Sequence, residues 1–284
     1  MSIKEICKDF KTNNTNIVIR PYEQYLIKKG ETSRSTRGYS HFHPSAFGGC
    51  IRKMALQYYS EFYDNFKVEE PIDPKFIRIC DAGHAYHFRM QNDLAEMGIL
   101  RGYWKCKSCG KIHGKENKIG IFMPEKCDCL DEKDKRKNLS LFEYEEVFLQ
   151  SDPKYNFKGN CDGIVELEKG NPDSRYIIDF KSIKSRRFGF LKENDIKYKT
   201  QIMIYMWLTG VHKSIIFYED KDVHVLKELP VEYDEEEVQR IKDKAVKLKK
   251  ILDNKKLPKR PDGYTQSKIP CSWCEYKKIC YKKK

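Results

Sequence analysis

Two acids and a lysine embedded in otherwise apolar strands constrain this chain more than any other feature. In Arg175-Tyr-Ile-Ile-Asp-Phe-Lys181 the β-branched and aromatic side chains, preceded by the turn-forming Gly170-Asn-Pro-Asp173, predict a strand. Side chains alternate along a strand, so Ile177, Asp179 and Lys181 fall on one face. Upstream, Asp162-Gly-Ile-Val-Glu-Leu-Glu168 predicts a second strand, and the turn folds the two into a hairpin that can set Asp162 beside Asp179. Two carboxylates and an ammonium on an apolar sheet face are costly unless a divalent cation lies between them. Oxygen ligands with open positions suit Mg²⁺ or Mn²⁺, and such sites serve phosphoryl chemistry. Taken alone, the same letters also fit a turn aspartate and a solvated surface pair.

The rest of the chain adds weight to a metal site. With 55 Lys+Arg against 42 Asp+Glu, a net charge of +13, the surface should attract polyanions, nucleic acid first, although the same excess also serves solubility. No apolar run approaches the ~18 residues that span a bilayer, and the first residues lack a signal-peptide core. A cytoplasmic protein is expected, in the host cytoplasm if phage-encoded, with no membrane partner. Eleven cysteines in such a chain point to metal rather than disulfides, and they cluster at 106/109/127/129 and 271/274/280.

Residues 1–43 read as two modest helices, around Ile3–Phe10 and Tyr22–Lys29, and a polar loop from Glu31 to His43 whose Arg34 and Arg37 can meet phosphates. A helix from Ala46 to about Tyr59 follows, with Ser45 as its cap and Cys50 early in it. Asp73-Pro74 starts a longer helix ending before Gly98, on which Phe76, Cys80, Gly83, His87, Met90, Leu94 and Met97 form an inward stripe. A histidine on such a stripe is ordinarily a satisfied core residue. Cys106-x-x-Cys109 and Cys127-x-Cys129, separated by a short polar hairpin, have the pattern of a zinc ribbon, with His113 able to substitute for one thiol. Leu139–Leu149 predicts a strand in which Glu146 is the candidate for a further acid near the metal, or else a solvated one. Lys184-Ser-Arg-Arg187 predicts a basic loop, so that Lys184, Arg186 and Arg187 can hold a phosphate backbone. A helix from Asn194 to Thr209 puts Gln201 and Tyr205 on one face, two strands follow, and a helix over Glu235–Asn254 packs through Val238, Ile241, Ala245 and Leu248. The Pro/Lys-rich tail carries Cys271, Cys274 and Cys280, one thiolate short of a cluster site, and its spacing alone fits zinc as well as iron.

The phrases GNCDGI around Asp162, IIDFKS around Asp179 and Lys181, and QIMIY from Gln201 to Tyr205 resemble the PD-(D/E)XK nuclease superfamily in its RecB-type branch, with Cys161 standing where the name-giving proline would be. The resemblance runs from about Ser45 to Cys280. It implies an α/β fold, a restriction-endonuclease-like mixed central sheet flanked by helices, with an inserted zinc ribbon and a C-terminal iron-sulfur tail. It further implies that Asp162, Asp179, His87 and the Phe180 carbonyl hold Mg or Mn, that Lys181 positions or activates water, and that Gln201 and Tyr205 support the site. HPSAFGGC and the tail resemble the relatives in which a 4Fe-4S cluster is fastened by one distant cysteine and three C-terminal ones, here Cys50 with Cys271, Cys274 and Cys280. Zinc then falls to Cys106, Cys109, Cys127 and Cys129.

The expected organisation is N-terminal helices and basic loop over 1–43, nuclease core over 44–102 and 139–256, zinc ribbon over 103–138 and iron-sulfur tail over 257–284. The expected function is metal-dependent DNA cleavage, as an exonuclease on single strands or duplex ends, in recombination, repair or phage DNA metabolism. No G-x-x-x-x-G-K-[ST] occurs, so any helicase or recombination motor acts in trans. The alternatives are a non-catalytic nucleic-acid-binding module, which has no need of buried acids, and a redox protein, for which a flavin or nicotinamide signature is missing.

Overall fold

The computed structural model describes residues 17–36, 38–68, 71–131 and 133–282; the helix expected around Ile3–Phe10 lies outside them. In chain order the longer elements are α1 (Ile19–Thr36), α2 (Pro44–Phe47), α3 (Ile51–Ser60), α4 (Pro74–Glu96), β1 (Leu100–Cys106), β2 (Ile112–His113), β3 (Ile121–Phe122), β4 (Phe142–Glu145), β5 (Val147–Gln150), β6 (Lys158–Cys161), β7 (Gly163–Glu166), β8 (Arg175–Ile183), α5 (Ser185–Phe188), α6 (Ile196–Thr209), β9 (Lys213–Asp220), β10 (Leu226–Glu232), α7 (Glu235–Asp253) and α8 (Lys277–Tyr281). The chain divides into two compact units, one drawn from Met1–Gly38 and Glu69–Ala82, the other from Tyr39–Val68 and Gly83–Lys284.

In the first unit α1 continues to Thr36, through half of the stretch expected to be a loop. Thr32 keeps its hydroxyl satisfied inside the helix by donating to the Lys28 carbonyl. Lys29 pairs with Asp81 at 2.7 Å. Arg34 therefore falls on a helix, and Arg37 lies outside the described residues.

The second unit is built on a mixed sheet in the order β10-β9-β8-β7-β1, with β2, β3 and β4 also pairing to β1. Only β8 and β9 run parallel, joined through α6 as a crossover connection requires. The strand expected over 139–149 is split instead, and the one expected over 162–168 begins at Gly163 and is preceded by a separate strand, β6. β7 occupies the start of one edge of β1 (Leu100↔Val165) and β4 its end (Tyr103↔Glu145). Beyond those pairings the two strands leave β1 and pair with each other as β5 and β6, in register Val147↔Cys161. Glu146 and Asp162 are the residues at the fork.

Helices cover both faces. Ile177 packs with Phe47, Phe157 and the α6 and α7 side chains on one side, whereas Ile178 and Phe180 pack with Trp104, Phe142 and Tyr86 on the other. Asp195 and Asp234 cap α6 and α7 through backbone N–H groups, and Gly210 ends α6 at φ 80°. The helix expected over Ala46–Tyr59 is broken at Gly48-Gly49: Ser45 lies inside α2 and is not its cap, and Cys50 is the N-cap of α3. The α4 stripe is rotated from the expected one. Tyr86, Gln91 and Ala95 are its buried residues, His87, Met90 and Leu94 are half-buried, and Phe76 and Met97 are exposed. No described helix is long and apolar enough to cross a membrane.

Gly48 shows how closely α2 sits on α6, because a Cβ there would lie 2.7 Å from Lys197 Cα, which is backbone and cannot swing away. Gly83, inside α4, has nothing within 4 Å of its Cβ position. Gly48→Ala should therefore cost about 1–3 kcal/mol in urea unfolding, and Gly83→Ala should be neutral or stabilising by about 0.5–1 kcal/mol.

Candidate active site

The hairpin of β7 and β8 pairs Gly163 with Ile178, so Asp162 and Asp179 end up one residue beyond it on adjacent strands. Asp162 is fixed from three sides. Its Oδ2 accepts the Phe180 N–H at 2.9 Å, and its carbonyl accepts Gln91 Nε2 at 2.8 Å. His87 Nδ1 stands 3.5 Å from the same Oδ2. The other ring nitrogen of His87 lies 3.1 Å from the Phe180 carbonyl, which thereby joins the site as expected. With Nε2–H donated to that carbonyl, Nδ1 turns a lone pair toward a carboxylate, a juxtaposition that a cation resolves.

His87, Glu146 and Asp162 bring ligand atoms within 4.8 Å of one another. Glu146 reaches the group because the fork sets it opposite Asp162, and Gln91 Nε2 also donates to it at 3.2 Å. Asp179 is fully buried, and its one charged partner is the Lys181 ammonium, with which it forms an ion pair. A buried carboxylate with so few donors beside two further acids fits a divalent cation. Asp179 stands outside the tight His87–Glu146–Asp162 group, although the hairpin keeps it adjacent.

The electrostatics agree. Burial, then the Asp162 charge, pushes Asp179 up to about 6 and Glu146 up to about 7, and burial raises Asp162 as well. Burial followed by the Lys181 charge lowers His87, keeping the imidazole neutral and able to ligate. For Lys181 burial favours the neutral amine, but Asp179 and Asp162 outweigh it and raise its pKa. A cavity of about 380 Å³ opens onto Asp162, Lys181 and His87, walled by Gln201, Tyr205, Tyr198 and the His43–Ser45 segment. Gln201 donates to the Tyr205 hydroxyl at 3.1 Å, and the Tyr198 ring lies 5.0 Å from the Lys181 ammonium.

Gln91, Tyr198 and His43 were not anticipated. Gln91 had a signal, since it stands four residues after His87 on the same helical face; the other two had none. The expected basic loop at 184–187 is a helical turn, α5, with Lys184 as its N-cap, because Asp220 and Asp222 hold Ser185 through its hydroxyl and backbone N–H. Arg186 and Arg187 are exposed on it, just past the strand that carries Lys181.

The four cysteines at 106, 109, 127 and 129 also converge within 4.8 Å. Cys106 and Cys129 sulfurs are 3.6 Å apart, Cys109 and Cys127 3.7 Å, and His113 Nε2 is 3.3 Å from Cys127. Burial disfavours the Cys106 thiolate, but the N–H groups of Cys109 and Ser108 prevail and hold it at about 6. Cys50, Cys271, Cys274 and Cys280 do not form so tight a group. They are half-buried where the tail meets α3: Arg52 Nε donates to Cys280 Sγ at 3.2 Å, and Lys53 pairs with Glu275 at 3.0 Å.

A paired-acid and lysine hairpin, backed by a helix that presents histidine, defines a metallohydrolase-type centre. The sequence profile of the PD-(D/E)XK nuclease superfamily matches residues 123–281, more than half of the chain, and the protein belongs to that superfamily. No curated protein matches its sequence. Among solved structures it is similar to SSO0001 (TM-score 0.48, 15% identity, covering 91% of this chain and 95% of that one). It is also similar to an alkaline exonuclease, LHK-Exo, from Laribacter hongkongensis (TM-score 0.34, 14% identity, 39% of this chain and 57% of that one) and to the same enzyme in complex with dAMP (TM-score 0.33, 15% identity, 38% and 55%). The chain thus spans little more than half of that exonuclease.

The raised carboxylate pKa values carry a stability cost with a definite sign. Without added divalent cation, moving Asp179 from 3.8 to about 6 means that stability is lost as pH rises through that interval, by about 3 kcal/mol in all. Urea unfolding between pH 4.5 and 8 should show this loss, Asp179→Asn should reduce it and leave the part that Glu146 and Asp162 contribute, and excess Mn²⁺ should restore stability above pH 7.

Proposed function

We propose that the protein is a Mg²⁺- or Mn²⁺-dependent deoxyribonuclease that acts as an exonuclease on single strands or duplex ends, in recombination, repair or phage DNA metabolism. The observation that carries this reading is the buried Asp179–Lys181 ion pair held beside Asp162, behind a cavity lined by Asp162, Lys181 and His87. His87, Asp162 and Glu146 would hold the cation, with Asp179 and the Phe180 carbonyl as further oxygen donors. When bound, the ion supplies Lewis acidity for phosphoryl oxygens and lowers the pKa of water. Lys181, whose pKa Asp179 and Asp162 raise, would orient the attacking water and face the phosphate as a cation. Tyr198 limits the swing of Lys181, and the Gln201–Tyr205 pair keeps the cavity wall polar. Arg186, Arg187 and Lys184 would bind the phosphate backbone, and Arg34 and Arg37 are proposed as phosphate contacts on the sequence alone. A helicase or recombination partner would act in trans, in the cytoplasm.

The ribbon thiols suit zinc, since bonds of ~2.3 Å in a tetrahedron separate the sulfurs by about 3.8 Å. Cys50, Cys271, Cys274 and Cys280 would hold a 4Fe-4S cluster; the docking of the tail beside Cys50 supports this assignment.

End-labelled DNA incubated with Mg²⁺, Mn²⁺ or neither tests the reaction. Asp179→Asn and Lys181→Ala should each cut at least about a hundred-fold more slowly while still binding DNA; near-normal, cation-dependent cleavage by either would sink the assignment. Metal analysis of anaerobically purified protein tests the clusters. Cys274→Ser should lose iron and absorbance near about 400 nm and keep zinc, and Cys106→Ser should do the reverse.

A further inference from the structure

A second cavity, of about 660 Å³, lies between the end of α3 with the turn after it and the end of α7. Tyr63, Asn65 and Phe66 line it together with Lys255 and Lys256 and with Arg52, which is tied to Cys280 Sγ and the Pro258 carbonyl; no acidic residue lines it. The nearby acids are already engaged: Asp64 with Lys67 at 2.7 Å, Asp253 with Lys249 at 2.9 Å, and Glu61 with the Tyr39 N–H at 2.7 Å. Tyr63 is 38% exposed, and Lys255 and Lys256 are exposed. Aromatic faces beside two exposed lysines, with one amide to meet base edges, are the chemistry of a single-strand platform, where bases stack and phosphates are neutralised.

The backbone adds an independent observation. Lys255 closes α7 in the left-handed region, at φ 55°, with its N–H on the Leu252 carbonyl and the Lys256 N–H on the Ile251 carbonyl. Glycine is favoured at that position of a helix terminus, and here a lysine occupies it at a conformational cost, with its side chain at the cavity.

We propose that this cavity binds a segment of single-stranded DNA. The proposal rests on the reading that the protein acts on DNA. One continuous stretch of chain connects it to the catalytic cavity: Pro44 and Ser45 of α2 wall the catalytic cavity, and α3 and the turn after it carry Arg52 and Tyr63 of the second.

Binding of a fluorescent oligothymidylate of about 12 nucleotides, measured by anisotropy without added divalent cation, tests this apart from cleavage. Tyr63→Ala should weaken binding about ten-fold. Lys255→Gly together with Lys256→Gln should lower the slope of log K against log salt by about 1.4. Lys255→Gly alone should raise Tm while weakening binding, an opposition that a purely structural lysine would not produce. An iododeoxyuridine oligonucleotide should photocrosslink to Tyr63 or Phe66. Unchanged affinity and slope in these variants, or equal losses on blunt duplex, would overturn the proposal. If single-strand binding follows Tyr63 while no condition yields cleavage, the nuclease reading fails and this site stands.

Discussion

Burying Glu146, Asp162 and Asp179 within reach of one another is the constraint to which the surrounding structure answers. Each carboxylate leaves water, and each raises the cost of ionising the next, which is why their pKa values move upward together. The protein compensates with donors in fixed places: the Phe180 N–H on Asp162, Gln91 bridging Asp162 and Glu146, and Lys181 against Asp179. Asp179 has no partner beyond Lys181 among the described residues. What keeps the cluster together is therefore the framework around it, and what it lacks is positive charge.

That framework is pinned at the opposite end of the hairpin by a buried ionic group of the reverse design, in which two guanidiniums converge on one carboxylate. Glu166 accepts Arg175 Nε at 2.6 Å, Arg101 at 3.1 Å and the Gly170 N–H at 2.7 Å. Burial works against its ionisation, but these donors more than offset it and lower its pKa. Arg101 also donates to the Gly120 carbonyl at 2.9 Å, and so fastens the cysteine-bearing insertion to the hairpin. The close approach of Gly120 to the Gly102 backbone makes the same connection by shape. Placement of the insertion and register of the hairpin are thus one structural problem with a shared solution.

The tail is tied down by different means. Its exposed Trp273 and Ile269 contribute little burial, whereas Tyr276 is buried and its hydroxyl reaches Ser60 at 3.4 Å. Arg52 spans from Cys280 to the Pro258 carbonyl. Helix α3 consequently has the catalytic cavity near its start, the tail along its side and the aromatic cavity at its end, so a change in how the tail docks would be felt at both cavities.

Local pattern alone determined a good part of this protein. The alternation in Arg175–Lys181 placed Asp179 and Lys181 on a strand, the turn at Gly170–Asp173 set the hairpin, and the four-residue spacing put Gln201 and Tyr205 on one face of a helix closed by Gly210. The stripe of α7 was equally plain, as was the convergence of the four ribbon cysteines. These features depend on contacts within a few residues or on a short hairpin, where periodicity and spacing carry the information. The fork at Glu146 and Asp162 did not follow, because it arises from Val147 pairing with Cys161 after both strands have left β1, a choice between partners distant in sequence. The rotation of α4, which buries Gln91, depends on the Asp162 carbonyl waiting for it. The break at Gly48, which sets Ser45 at the cavity wall, depends on Lys197 lying across it. Sequence supplied the chemical groups and the elements that carry them; only the tertiary structure decided which carboxylates come together, since that is fixed by long-range strand exchange and by the packing space left between helices.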